Sequence, residues 1–165
     1  MKTLLLIRHA KSSWNDSSLP DIERPLNDRG KSDAPMMAQR LIEKKLDIDL
    51  FITSPAKRAR KTCEKFMKEF KIDEENAVIE PGLYEAGEED FYAVIEAIDN
   101  RHNVAALFSH NPGLTYFVNL LTDTRVNNVP TCGIFAVRLH EDDWATIKTG
   151  KKEFLFFDIP RAGAD

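Results

Sequence analysis

The apolar run Leu4-Leu5-Leu6-Ile7 ends on Arg8-His9. Four such residues read as a buried strand, and a cation beside an imidazole does not belong at its end. The pattern recurs. Phe51-Ile52 leads into Ser54-Pro55-Ala56-Lys57-Arg58, and Ala105-Ala106-Leu107-Phe108 leads into Ser109-His110-Asn111-Pro112-Gly113. In an open α/β sheet, ligands bind beyond the carboxyl ends of the parallel strands. Here those ends carry Arg8, His9, Arg58 and His110.

Ser54-Pro55 and Asn111-Pro112 each set a capping residue before a proline, which predicts a helix with Ser or Asn at the N-cap and Pro in its first position. Each helix would turn free N–H groups and partial positive charge toward the crevice. Two arginines, a histidine and two helix ends make an anion site, and phosphate meets that demand best. His9 then has a further use, because neutral imidazole is a good nucleophile toward phosphorus. The neighbouring arginines disfavour the imidazolium and should keep the free base at neutral pH. A bond from the other ring nitrogen, to a backbone carbonyl, would fix the tautomer.

Strands and helices must alternate to bring these ends together. Candidate strands are 3–8, 50–53, 77–80, 104–108, 133–139 and 153–158. Four amphipathic helices lie among them, marked by Ala34, Met37, Ala38 and Leu41; by Ala59, Cys63, Phe66, Met67 and Phe70; by Phe91, Val94, Ile95 and Ile98; and by Leu114, Phe117, Val118 and Leu121. This predicts a single-domain layered α/β fold over 1–165, with a mostly parallel central sheet and helices on both faces. The last two strands, with no helix between them, should form an antiparallel pair. Residues 16–30 form the longest irregular stretch and could border a site. The tail 160–165 should be loose.

Composition excludes several classes. The chain has 165 residues, 42% hydrophobic and 30% charged, with net charge -4. That balance argues against nucleic acid as a partner. No apolar run approaches the ~20 residues of a membrane helix, and the N-terminus lacks a signal peptide's long apolar core. A cytoplasmic protein with no membrane contact is expected. Cys63 and Cys132 are far apart, without metal-ligand spacing, and read as buried free thiols. No carboxylate cluster suggests a metal, and no cofactor is implied.

"RHAKSSWN" resembles the RHGxSxWN signature of the histidine phosphatase (phosphoglycerate mutase-like) superfamily. "TSPAKRARKT" is similar to that family's second-arginine motif, "SHNPG" to its second-histidine motif, and "RPLNDRG" to its P-L-x-x-x-G element. These motifs cover about the first 115 residues. Ala10 stands where most members have Gly; with "HNPG", "RPLNDRG" and the short chain, it resembles the SixA-type phosphohistidine phosphatase branch. The resemblance implies a phosphoglycerate mutase-like fold. It implies a metal-independent phosphatase that carries the phosphoryl group on His9, with Arg8, Arg58 and His110 holding its oxygens. Asn15 matches an Asn that helps bind phosphate in many members, and Asn111 would join the substrate site. The substrate would bear phosphate, with protein phosphohistidine first and small phosphomonoesters as the alternative. A non-catalytic phospho-ligand module is a third reading. It does not explain an intact nucleophile. Oligomeric state and protein partner are not legible.

Many members use a Glu after the third strand as general acid, and "GLYEAGEED" places Glu85 near there. In the SixA-type branch this acid is typically missing. Glu85 is thus a general acid or a solvated loop residue, and the loop is the preferred reading. Arg24, His102 and His140 read as surface residues, and Trp144 as a core or lid residue.

Overall fold

The computed structural model describes residues 1–163. Its centre is strand β1 (Lys2–Arg8), buried along nearly its whole length. Beside it runs β4 (Val104–Ser109), equally buried. A strand covered on both faces needs a continuous apolar run, and both have one. β2 (Leu50–Thr53) and the short β3 (Val78–Ile79) extend the parallel side; β5 (Ile134–Leu139) and β6 (Lys152–Asp158) extend the other. The sheet order is β3-β2-β4-β1-β5-β6. β1, β2, β3 and β4 are parallel, while β5 runs antiparallel to both β1 and β6.

Alternate residues of the central strands serve opposite faces. Leu5, Ile7, Phe51, Ala106 and Phe108 pack with helices α1 (Asp28–Glu43) and α2 (Lys57–Glu69). Leu4, Leu6, Ile52, Ala105 and Leu107 pack with α3 (Glu88–Glu96) and α4 (Gly113–Leu121). The fold is therefore the expected α/β architecture, with helices on both faces and an antiparallel final pair.

Some expectations change. The 77–80 strand shrinks to two exposed residues, because an edge strand is supported by one neighbour only. Within 16–30, Asp21–Glu23 forms a 3-10 turn and α1 already begins at Asp28. Of the tail expected to be loose, residues 164–165 lie outside the described residues. Pro160 is buried and the exposed Arg161 pairs with the carboxylate of Asp33, so its first residues are held. Trp144 is core, its indole N–H donating to the His102 carbonyl at 2.8 Å. Cys63 and Cys132 are buried free thiols. Among the described residues no helix is long and apolar enough to cross a membrane.

Candidate active site

Arg8 and Ser109 are register partners, and Thr53 lies beside Phe108, so β1, β4 and β2 end at one edge of the sheet. A cavity of about 720 Å³ opens there, lined by Arg8, His9, Arg58 and His110 among others. The first three motifs thus converge.

The chain just past β1 is held from several sides. The His9 N–H donates to the Ser109 carbonyl at 3.1 Å. Cys132, in the left-handed region at φ 62°, aims its N–H at the carbonyls of both Arg8 and His9. The Ala10 N–H donates to Thr62 Oγ1 at 2.9 Å, and that hydroxyl donates to the Arg58 carbonyl at 2.7 Å. Thr62 therefore ties the His9 turn to the first turns of α2. It closes the motif "TSPAKRARKT", whose other conspicuous residues drew attention away from it.

His9 itself is buried, with 6% exposure. Its Nδ1 lies 2.8 Å from the Ala10 carbonyl. That acceptor requires the proton on Nδ1 and leaves Nε2 as the basic nitrogen. Burial holds the His9 pKa well below the ordinary imidazole range; His110, Arg58 and Arg8 add to this, against the Ala10 hydrogen bond. The expected fixing carbonyl is thus the adjacent one. The arginines, expected to be the main cause of a neutral ring, rank below burial.

His110 lies close by, its ring centroid 5.1 Å from that of His9. Burial, followed by the charge of Arg58, lowers its pKa to about 3. Its Nε2 is 2.7 Å from Ser54 Oγ, which also accepts from the Ala56 N–H at 3.2 Å. The Ser54 hydroxyl can give its hydrogen to His110 Nε2, and in that arrangement the ring proton sits on Nδ1. His110 Nδ1 and Arg58 Nε are buried without a hydrogen-bond partner among the described residues.

The helix starts differ from expectation. α2 begins at Lys57, with Ala56 rather than Ser54 at the N-cap, because the Ser54 side chain serves His110 and the intervening turn. α4 begins at Gly113. Asn111 caps from one residue further out, accepting from the Thr115 N–H at 3.1 Å. Its amide nitrogen donates to Val129 and Asn128. Asn111 lines the cavity, with its side-chain oxygen engaged by Thr115 of α4 and its amide nitrogen by Asn128 and Val129. Of the helix ends, Gly113 lines the cavity, whereas the first residue of α2 does not.

Sequence reasoning missed one wall. Asp21 accepts from Arg58 Nη2 at 3.0 Å and from the Tyr84 hydroxyl at 2.7 Å, and its backbone carbonyl accepts from Arg58 Nη1 at 2.7 Å. Burial raises the Asp21 pKa, but the Tyr84 and Arg58 hydrogen bonds and the Arg58 charge outweigh it and bring it to about 2. Arg24, expected in solvent, is buried and donates to Ser12 Oγ at 2.8 Å and Asp21 Oδ1 at 3.2 Å. Asp21 and Arg24 both flank a proline in a polar stretch, and nothing local separates them from surface charges. Asn15 is exposed and does not line the cavity, contrary to expectation. Its N–H is turned to the Ser13 hydroxyl at 3.1 Å. Glu85 does line it, exposed at the rim, with φ 55°. No group of three or more His, Cys, Asp or Glu side chains suited to a metal occurs among the described residues.

The site can hold an anion and present a neutral imidazole to it. The chain is similar to known proteins in sequence and, separately, in fold. A chloroplastic protein of Arabidopsis thaliana, itself uncharacterized, is 26% identical over 155 residues, covering 87% of this chain and 69% of its own. The 2,3-bisphosphoglycerate-dependent phosphoglycerate mutase of Mesorhizobium japonicum is 36% identical over 67 residues, but that stretch covers only 38% of this chain and 32% of the mutase. In fold, the chain is similar to the protein histidine phosphatase SixA solved with tungstate, with TM-score 0.80 at 24% identity, covering 96% of this chain and 97% of SixA. The sequence profile of the histidine phosphatase superfamily (branch 1) matches residues 4–92, more than half of the chain, and the chain belongs to that superfamily.

Proposed function

We propose that the chain is a phosphatase of the SixA type, working through a phosphohistidine intermediate on His9, with protein or peptide phosphohistidine as its substrate. The observation that carries this reading is the His9 ring. Nδ1 is committed to the Ala10 carbonyl at 2.8 Å, and Nε2 is a free base in a cavity shared with Arg8, Arg58 and His110. Nε2 attacks phosphorus, and a P–N bond forms as the bond to the leaving group breaks. Water then attacks the phosphorus of this intermediate, a P–O bond forms as the P–N bond breaks and its electrons return to Nε2, and orthophosphate leaves carrying both of the water's hydrogens. Arg8, Arg58 and His110 take the phosphoryl oxygens. Arg58 Nε is a donor whose missing acceptor a phosphoryl group supplies, and His110 Nδ1 is a second when it carries the ring proton. Guanidinium charge stands where other phosphatases use a metal, so turnover should survive EDTA and fall with vanadate. The likeness in fold to SixA, and Ala10, "HNPG" and "RPLNDRG", support the phosphohistidine branch.

Glu85 at the rim favours a second reading, a phosphatase of small phosphomonoesters. An alkyl phosphate expels a basic alkoxide and needs a proton from a general acid. Phosphohistidine expels an imidazole that leaves neutral once protonated. Wild type and Glu85→Gln should be compared on a phosphohistidine peptide and a sugar phosphate. On the first reading, the peptide is turned over faster and Glu85→Gln changes its rate by less than about threefold, under ~1 kcal/mol. Fast sugar phosphate hydrolysis, reduced about 10²-fold by Glu85→Gln, would establish the second reading. A mere phospho-ligand module would bind phosphate and never become labelled on His9.

A further inference from the structure

We infer that Trp14 is a leaving-group platform, a flat apolar face on which the imidazole ring of a phosphohistidine substrate stacks while its phosphoryl group lies at His9. The inference rests on the phosphatase reading above and assigns a subsite to it. Trp14 lines the same cavity as His9. At 72% exposure it is the most exposed large hydrophobic side chain among the described residues. A lone exposed apolar side chain needs no explanation. Trp14 differs because it is held in place.

Its ring is backed by the Arg24 guanidinium, 3.5 Å from the ring centroid. Arg24 is in turn pinned by Ser12 Oγ and Asp21 Oδ1. The preceding backbone is also fixed: Ser12 bridges to Leu26, and the Ser13 N–H donates to the Pro25 carbonyl at 2.8 Å. Contact with Arg24 covers one face of the indole, and the 72% exposure leaves most of the rest of the ring uncovered. A rigid, half-covered aromatic gives contact area with little ordering cost on binding.

The cavity supplies the second argument. A phosphoryl group fills little of about 720 Å³, a volume suited to a much larger ligand. The P–N bond of phosphohistidine lies in the plane of its ring. With phosphorus at His9, the substrate ring extends outward edge-first, and a side wall meets its face. A serine leaving group offers no such face.

The test measures binding of two peptides of one sequence. One carries phosphonotriazolylalanine, a non-hydrolysable ring-linked phosphoryl mimic, and the other carries phosphoserine. Calorimetry is run with wild type, Trp14→Ala and Trp14→Phe, all checked for unchanged Tm. Trp14→Ala should weaken the triazole peptide about tenfold and the phosphoserine peptide less than about twofold, with Trp14→Phe close to wild type. Equal losses on both peptides, or no loss on either, overturn the platform. The parent reading fails separately: wild type would then not be phosphorylated on His9 by a phosphohistidine peptide, whatever the Trp14 variants do.

Discussion

The role proposed for His9 needs a neutral ring, and exclusion from water is the main cause that lowers its pKa. This has a direct spectroscopic consequence. In an NMR titration the His9 ring should remain the neutral Nδ1–H tautomer well below the ordinary imidazole value of 6.5; an observed pKa at or above 6.5 contradicts the assignment. The chemical consequence is sharper. His9→Ala should lower phosphohistidine turnover by about 10³-fold or more, as expected when a nucleophile is removed. Its Tm should stay within about 5 °C of wild type, since the ring lines the cavity and lies outside both apolar core clusters. A variant that kept a tenth of the activity, about a 1.4 kcal/mol effect, would remove His9 from the nucleophile role.

At the scale of elements, two motif glycines explain how the loops reach the site. A Cβ at Gly30 would stand 2.2 Å from the Lys11 carbonyl oxygen. The α1 N-terminus packs directly on the irregular segment that carries Ser12 to Trp14, and the Asn27 N–H donates to the same carbonyl at 3.0 Å. Gly113 is equivalent on the other side, where a Cβ would stand 2.0 Å from the Ala86 carbonyl oxygen. Both obstacles are backbone, which cannot swing aside as a flexible side chain can. Gly30→Ala should therefore cost about 1–3 kcal/mol of stability, read by chemical denaturation, and lower turnover by displacing the Lys11–Trp14 segment. Stability and turnover both unchanged would show that the two segments separate easily.

At the scale of the molecule, the site makes the fold sensitive to acid. His9 and His110 have lowered pKa values, His110 to about 3. Below 6.5 the unfolded chain binds protons that the folded chain refuses, so stability falls as pH drops from 6.5 toward 3. Asp21 acts in the next window. Its folded pKa of about 2 lies under the ordinary carboxylate value of 3.8, so its contribution is present above 3.8 and is lost as pH falls toward 2. Thermal unfolding from pH 7 to pH 3 should show a falling Tm, and His110→Asn should reduce the slope between pH 6.5 and 4. An unchanged slope would mean that His110 titrates normally in the folded state.

What the sequence determined by itself was the set of strand ends. Arg8, His9, Arg58 and His110 each follow an apolar run closely, and parallel strands of one sheet must end on one edge. Local pattern and a general topological rule therefore suffice to bring them together. The same applies to the four helices, whose apolar stripes are periodic over short windows. Tertiary structure alone decided the rest. Asp21 meets Arg58 and Tyr84 across 37 and 63 residues of chain, and Arg24 reaches Ser12 across an irregular segment with no periodicity to read. Asn15 and Asn111 carried the expected chemistry in their types. One is left in solvent, and the other is engaged by Thr115, Asn128 and Val129. Whether a polar side chain is available to a ligand depends on which partners the fold delivers to it, and those partners are distant in sequence. The same holds for His9: its sequence neighbours are cations, but its neutrality comes mainly from burial, which arises only when β1, β4, α2 and the turn before β5 close around it.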